Sequence, residues 1–303
     1  MGSSKLIAAL YRSFMRNGKV LDTCKEFKAI LPREVHWGSG QKCDFFTTNV
    51  SCVATIRREF RRSRSPQEIE KAIDDAIIVN KAVSERVQLL YSDENGSQEL
   101  ISFSKPSFVI DTETKYLDEM AGQPQEKAKA IEEALKLIRG ASSVLSNDDM
   151  AGADKARIAK TFYQQSINSF PTADAHAYLG WHYYLDGELD QAVEECEKAI
   201  SLDPTFGNPY NDLALIRVQQ GYDDEAVELF KKAKVAPRYD VRHFPSLNLA
   251  ALHLEKDRVK QALHEYIEAL HWMEGDTASP IRNTVADMST YIVTMQEKLG
   301  SVS

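Results

Sequence analysis

An all-α fold is predicted: a three-helix N-terminal domain, then an α-solenoid of helix pairs closed by a C-terminal capping helix. Three observations carry that expectation. Apolar residues recur at helical spacing in one segment after another. Late in the chain a pattern returns at 34 residues, Gly187 as Gly221 and Ala192 as Ala226. Charge also divides along the chain. Through Ser92, 16 Lys and Arg stand against 10 Asp and Glu, a balance of +6 that leaves −14 for the remainder of a chain of net charge −8. The 303 residues, 43% apolar and 27% charged, have the composition of an ordinary globular protein and length for two domains. No run approaches the roughly 18 apolar residues of a membrane span.

The first helix is expected over Lys5–Arg16, where Leu6, Ile7, Leu10 and Phe14 form one stripe. Leu10-Tyr11-Arg12 lies on it, Arg16 follows a turn later, and the first acid is Asp22, so the helix is purely cationic. The second helix, Val53–Arg62, sets Val53, Ile56 and Phe60 on one face and Arg57, Arg58, Arg61 and Arg62 largely on the other. Ser65-Pro66-Gln67-Glu68 reads as a capping box with proline at the first helical position. It opens a third helix with Ile69, Ile73, Ile77, Val83, Val87 and Leu90 at helical intervals. These elements define a domain over 1–92, with an insertion at 17–49 holding a short helix around Phe27 and Ile30 and an exposed loop at His36–Gly40.

On Leu10, Tyr11, Arg12, Arg16 and a Phe60 set in a basic second helix, the first third of the chain resembles the LYR-motif family of small mitochondrial three-helix proteins. The 17–49 segment is longer than the family's usual turn. The resemblance implies a domain that clasps the mitochondrial acyl carrier protein. The partner's acyl-phosphopantetheine would enter between the helices, bordered by Leu10 and Phe60. Tyr11, Arg12, Arg16, Arg57, Arg58 and Arg61 would face the carrier. No cofactor would belong to this chain itself. The same resemblance implies a mitochondrial, matrix-side location, and the acid-free first helix suits an import signal. It also leaves open an iron–sulfur delivery adaptor read through Leu-Tyr-Arg.

Residues 93–123 are expected to be a linker, with an alternating, extended strip near 101–110. A helical solenoid follows over 124–303. Helices at Lys127–Leu145 and Ala153–Phe170 form a degenerate leading pair, and the clearest repeats span 173–206, 207–240 and 243–276. In the first, Leu179, Gly180, Tyr183, Ala192, Ala199 and Pro204 hold positions 7, 8, 11, 20, 27 and 32. That set resembles a tetratricopeptide repeat. Small residues at 8 and 20 let paired helices approach, and large ones fill the layer between. Ser279-Pro280 opens a capping helix over 280–299. The resemblance implies a groove for a protein client, here Trp181, Tyr184, Asn211, Arg217 and Asn248. The Lys/Asn/Arg clamp of chaperone-binding repeats is missing, since Ala177 and Trp181 stand at clamp positions 5 and 9.

No catalytic or metal-binding set is apparent. The seven histidines lack paired-ligand spacing, and no nucleophile elbow, zinc helix or dinucleotide fingerprint occurs. Cys24, Cys43, Cys52 and Cys196 suit free thiols in a reducing compartment. The arginine cluster at 57–64 lacks interleaved aromatics within an acidic protein, which argues for an acidic protein partner over nucleic acid. The expectation is a non-enzymatic adaptor, or accessory subunit, joining an acyl carrier protein to a client of a mitochondrial complex such as a respiratory complex or the mitoribosome. The plainer alternative is a repeat scaffold that binds no carrier.

Overall fold

The computed structural model describes residues 2–30, 36–37, 41–42, 51–62, 64–92, 99–100, 103, 112–239, 241–273, 283 and 285–293. The N-terminal helices are α1 (Gly2–Thr23), α2 (Lys25–Ile30), α3 (Cys52–Arg61) and α4 (Pro66–Gln88). Two antiparallel ribbons of two-residue strands accompany them, β1 (His36–Trp37) with β2 (Gln41–Lys42) and β3 (Tyr91–Ser92) with β4 (Glu99–Leu100). Then come α5 (Thr112–Met120), α6 (Gln125–Leu145), α7 (Gly152–Ser169), α8 (Ala173–Leu185) and α9 (Leu189–Leu202). The series continues with α10 (Asn208–Gln219), α11 (Asp223–Val235), α12 (His243–Glu255) and α13 (Val259–Trp272), and residues 285–293 form α14. Helices thus make up nearly all of the described structure, and the fold is all-α.

The chain divides into two compact units, Met1–Phe103 with His253–Ser303, and Ser104–Leu252. In the first, α1 buries Leu10, Phe14 and Leu21, α3 buries Cys52 and Ile56, and α4 buries Ala76, Val79, Val83 and Val87. Of the marked stripes Leu10, Phe14, Ile56, Val83, Val87 and Leu90 are buried, but Val53, Phe60 and Ile73 are half-buried and Ile69 and Ile77 exposed, so the buried face of α4 runs instead through Ala76 and Val79. Ser65 caps α4 as anticipated, its hydroxyl accepting from the Glu68 amide while the Glu68 carboxylate accepts from the Ser65 amide.

The first helix runs past Arg16 to Thr23, into the segment expected to be an insertion. Tertiary contacts extend it. Asn17 Nδ2 donates to Ser84 Oγ of α4 at 2.8 Å, and Leu21 is fully buried. At Gly18 an added Cβ would stand 2.6 Å from Ile56 Cδ1, so α1 and α3 cross where no side chain separates them. The short helix around Phe27 is present as α2, and the expected His36–Gly40 loop instead carries one strand of a hairpin. Of the strip expected near 101–110, only Phe103 lies among the described residues.

The second unit holds α5–α11 and α12 as far as Leu252. The expected linker contains a helix of its own, α5. Its successors pack as pairs, α6 with α7, α8 with α9, and α10 with α11. Gly180 of α8 explains one close approach: a Cβ there would lie 3.2 Å from Glu195 Cβ and 3.3 Å from Cys196 Sγ on α9. The turns within pairs place Gly187 and Gly221 at φ 78° and 82°. The pair expected over 243–276, α12 and α13, departs from expectation, because the boundary between units falls inside it. α13 belongs to the first unit, where a His264 ring nitrogen bonds the Leu89 carbonyl oxygen. There too His271 Nδ1 lies 3.0 Å from Glu26 Oε1, and its ring stacks on Phe103. The helix expected over 280–299 is described only at 285–293, also in the first unit, with Val285, Ser289, Ile292 and Val293 buried.

Candidate functional site

In the N-terminal unit α1, α3 and α4 leave a cavity of about 210 Å³ between them. Ile7 and Leu10 form one wall, Phe60 the second, and Ile69, Ile73 and Ala76 the third, with Arg62 and Arg64 also on its lining. Tyr11 meets Phe60 edge-on at 5.1 Å, and Phe14 meets it at 5.9 Å, so three aromatic rings brace one side. Arg64 is held in place, donating to the Glu59 carbonyl at 2.8 Å and pairing with its carboxylate at 3.3 Å. Arg12, Arg16, Arg57, Arg58 and Arg61 are all exposed. The structure therefore brings Leu10 and Phe60 together on an apolar cavity and sets the cationic residues on the surface of the same two helices.

Asp22, which local sequence gave no reason to single out, fixes this geometry. Its carboxylate accepts from Ser51 Oγ at 2.7 Å and from the Cys52 and Val53 amides at 2.7 and 3.1 Å. An acid of α1 thus satisfies the open amides at the start of α3, where the helix dipole also favours it. Burial opposes ionisation of Asp22, yet the Ser51 hydroxyl, the two amides and Lys28 outweigh it and hold the carboxyl below its usual range. Cys24 and Cys52 are buried, and burial pushes both thiols up to about 12. Among the described residues no cluster of His, Cys, Asp and Glu is arranged to hold a metal.

In the second unit Trp181 and Tyr184 pack ring against ring at 5.2 Å on α8, both half-buried. Asn248 Nδ2 donates to Asn211 Oδ1 at 3.0 Å, which ties α12 to α10. Arg217 stands apart from this pair. It is held at the turn between α10 and α11 by Glu225 at 2.9 Å and Gln220 at 2.7 Å, its guanidinium over the Tyr222 ring.

The largest group of functional interest was not marked by the sequence. Arg238, 1% exposed, donates through Nη1 to Asp174 Oδ1 at 2.8 Å and through Nε to Asp203 Oδ2 at 2.9 Å. Its guanidinium lies 3.7 Å from the centroid of Phe206. Tyr116 of α5 donates its hydroxyl proton to Asp174, and Lys115 donates to Asp203. Burial works against the Asp203 charge, but Lys115, Thr205 and Arg238 bring its carboxyl down to about 2. Burial and the neighbouring Asp174 charge push the Tyr116 phenol far above its usual range. The four stretches that meet here, 115–116, 174, 203 and 238, lie 29 to 123 residues apart in sequence, so no local spacing announces them.

Sequence comparison with known proteins agrees with the repeat. Residues 173–206 match the family model for the tetratricopeptide repeat. A stretch of 117 residues, 36% of this chain, is 30% identical to the small glutamine-rich tetratricopeptide repeat-containing protein 2 of Saccharomyces cerevisiae, and it spans 30% of that protein's length. A crystal structure of MamA aligns over 57% of this chain and all of its own at 16% identity, with a TM-score of 0.39. The chain therefore carries a tetratricopeptide repeat, a module of protein–protein interaction, within an all-α fold.

Proposed function

We propose that this protein is a non-enzymatic adaptor that binds an acyl carrier protein through its N-terminal unit and a client of a mitochondrial complex through its repeats. The observation that carries the first half is the apolar cavity among Ile7, Leu10, Phe60, Ile69 and Ile73 beside a surface of exposed arginines. An acyl chain calls for an apolar slot, and the acidic surface of a carrier calls for cations around it. The residues present suit the group: a thioester-linked chain would lie against Leu10 and Phe60. Arg12, Arg16, Arg57, Arg58 and Arg61 would meet carboxylates of the carrier. The acyl-phosphopantetheine belongs to the partner, so this chain holds it without bond-making chemistry. A matrix location follows from where such a carrier would be met.

Intact-mass spectrometry of whatever co-purifies with the tagged chain from its own cells tests the reading. The expected result is a small acidic protein bearing phosphopantetheine and an acyl chain, lost when Arg57, Arg58 and Arg61 are changed to Glu while the melting transition is kept. Recovery of a cluster-transfer co-chaperone in its place would favour iron–sulfur delivery. A repeat-bound client without either would leave a scaffold.

A further inference from the structure

The seat that α5 occupies in the second unit has features of a binding site filled from within the chain. Its polar hold on the repeats rests on adjacent side chains: Tyr116 to Asp174 at the start of α8, and Lys115 to Asp203 just after α9. Arg238 donates to both carboxylates as well, and Thr205 donates its amide and hydroxyl to Asp203 Oδ1. The charges are informative. With Lys115 in place, Asp174 and Asp203 face two cations, Lys115 also reaching Glu119 of its own helix at 3.5 Å. Without it, two carboxylates face Arg238 alone, a buried net charge of −1 with an acceptor left open on Asp174. The vacated seat therefore asks for one cation and one hydroxyl donor on neighbouring residues.

Beside the seat lies a mainly apolar cavity of about 380 Å³ between α5, α6 and α8, lined by Leu135, Ile138 and Tyr178 and by Tyr116, Leu117 and Met120 of α5. α5 fills it incompletely, and Leu117 stays 63% exposed at its edge. A helix of nine residues has little stability of its own in water. Over Ser104–Leu252 there are 24 Asp and Glu against 16 Lys and Arg, so the surroundings also draw cations.

We propose that this seat is where the repeats take their client, that α5 holds it in the absence of one, and that the client presents a helix with a Lys or Arg next to a Tyr, followed by an apolar residue. The sign is opposite to that of a clamp for a peptide carboxylate: here the protein supplies the acids and the partner the cation. The inference rests on the reading that the repeats bind a client and is independent of the acyl-carrier reading.

The test uses the full chain and, as probe, a fluorescently labelled synthetic peptide of residues 110–123. In the doubly substituted Lys115→Glu, Tyr116→Ala chain the in-chain helix loses its hold. The expected result is peptide binding at least tenfold tighter than to the unsubstituted chain, and loss of that gain when Asp174→Asn is added. Equal binding to both chains, or a gain that survives Asp174→Asn, would overturn the proposal. Hydrogen exchange on the unsubstituted chain keeps the test open if the double variant does not fold. α5 amides are expected to exchange at least a hundredfold faster than those of α8 and α9, since a releasable helix must open by itself. Exchange of α5 together with α8 would overturn it. Neither readout involves a carrier, so failure here leaves the acyl-carrier test standing.

Discussion

Asp257 occupies the turn position of the third helix pair that Gly187 and Gly221 hold in the first two, and it takes the same left-handed conformation, φ 56°. For an L-residue with a Cβ that region is unfavourable by roughly 1–2 kcal/mol, less for Asp, whose short side chain bonds locally. The substitution Asp257→Gly is therefore expected to be neutral or stabilising by up to about 1 kcal/mol, whereas Gly221→Ala loses about 1–2 kcal/mol. Denaturant unfolding of the two variants compares them, and a loss on Asp257→Gly would contradict the backbone argument. Asp203 supplies a prediction in pH. Its carboxyl sits at about 2 against an ordinary 3.8, so its folded-state pKa is depressed. Its contribution is then full above pH 4 and lost as pH falls through about 2, with a size on the order of 2 kcal/mol. Unfolding curves at pH 5 and pH 2 should show Asp203→Asn losing less stability on acidification than the unsubstituted chain. Equal losses would remove Asp203 from the account.

Single side chains also decide how whole elements meet. The start of α3 depends on an acid from another helix, since Asp22 accepts from both the Cys52 and Val53 amides. Removing it in Asp22→Ala leaves those donors uncapped and Lys28, itself buried, without that carboxylate. A loss of about 1–3 kcal/mol is expected, more than for removal of an ordinary surface cap. Thermal unfolding measures it, and hydrogen exchange should show α3 fraying first. A melting point unchanged within a degree would mean that α3 is held by its apolar face alone. Arg238 does the corresponding work in the second unit. Arg238→Ala strands two buried carboxylates and is expected to lower stability by about 3–5 kcal/mol, because breaking such a cluster exposes its remaining charges to an uncompensated interior. Unfolding in urea reads this directly, and a loss below about 1 kcal/mol would show that solvent reaches the site.

At the scale of the molecule, the charge balance of +6 through Ser92 and −14 beyond it fits two different partners better than one. Cations on exposed helix faces attract through solvent, so capture of an acidic carrier should weaken steeply with salt, most of all in association rate. Surface-binding kinetics at about 50 and 300 mM salt check this, the Debye length shrinking across that range. A rate insensitive to salt would place the contact on apolar surface only.

Much of this was legible in the residues. The apolar period located α3, α4, α6, α7 and the first part of α1, because burying one stripe is a local demand that each helix states in its own spacing, and the 34-residue repeat placed the pairs from α8 to α13. The capping box at Ser65 and the repeat at 173–206 were readable for the same reason. α5 was missed because its nine residues are held by Asp174 and Asp203, far along the chain. α1 was read too short because Gly18 and Asn17, which look like a stop, are wanted for their fit against Ile56 and Ser84. The placement of α13 with the N-terminal helices through Leu89, Glu26 and Phe103 was likewise beyond any repeat period. Sequence alone determined the helical class, the repeat and the cationic second helix, and it was the family resemblance that set Leu10 beside Phe60. Tertiary structure alone decided where a cavity opens between them, which acid caps which helix, and which charges are buried together. The first kind of information repeats every few residues along a chain, while the second is set by contacts that cross tens to hundreds of residues and exist only once it has folded.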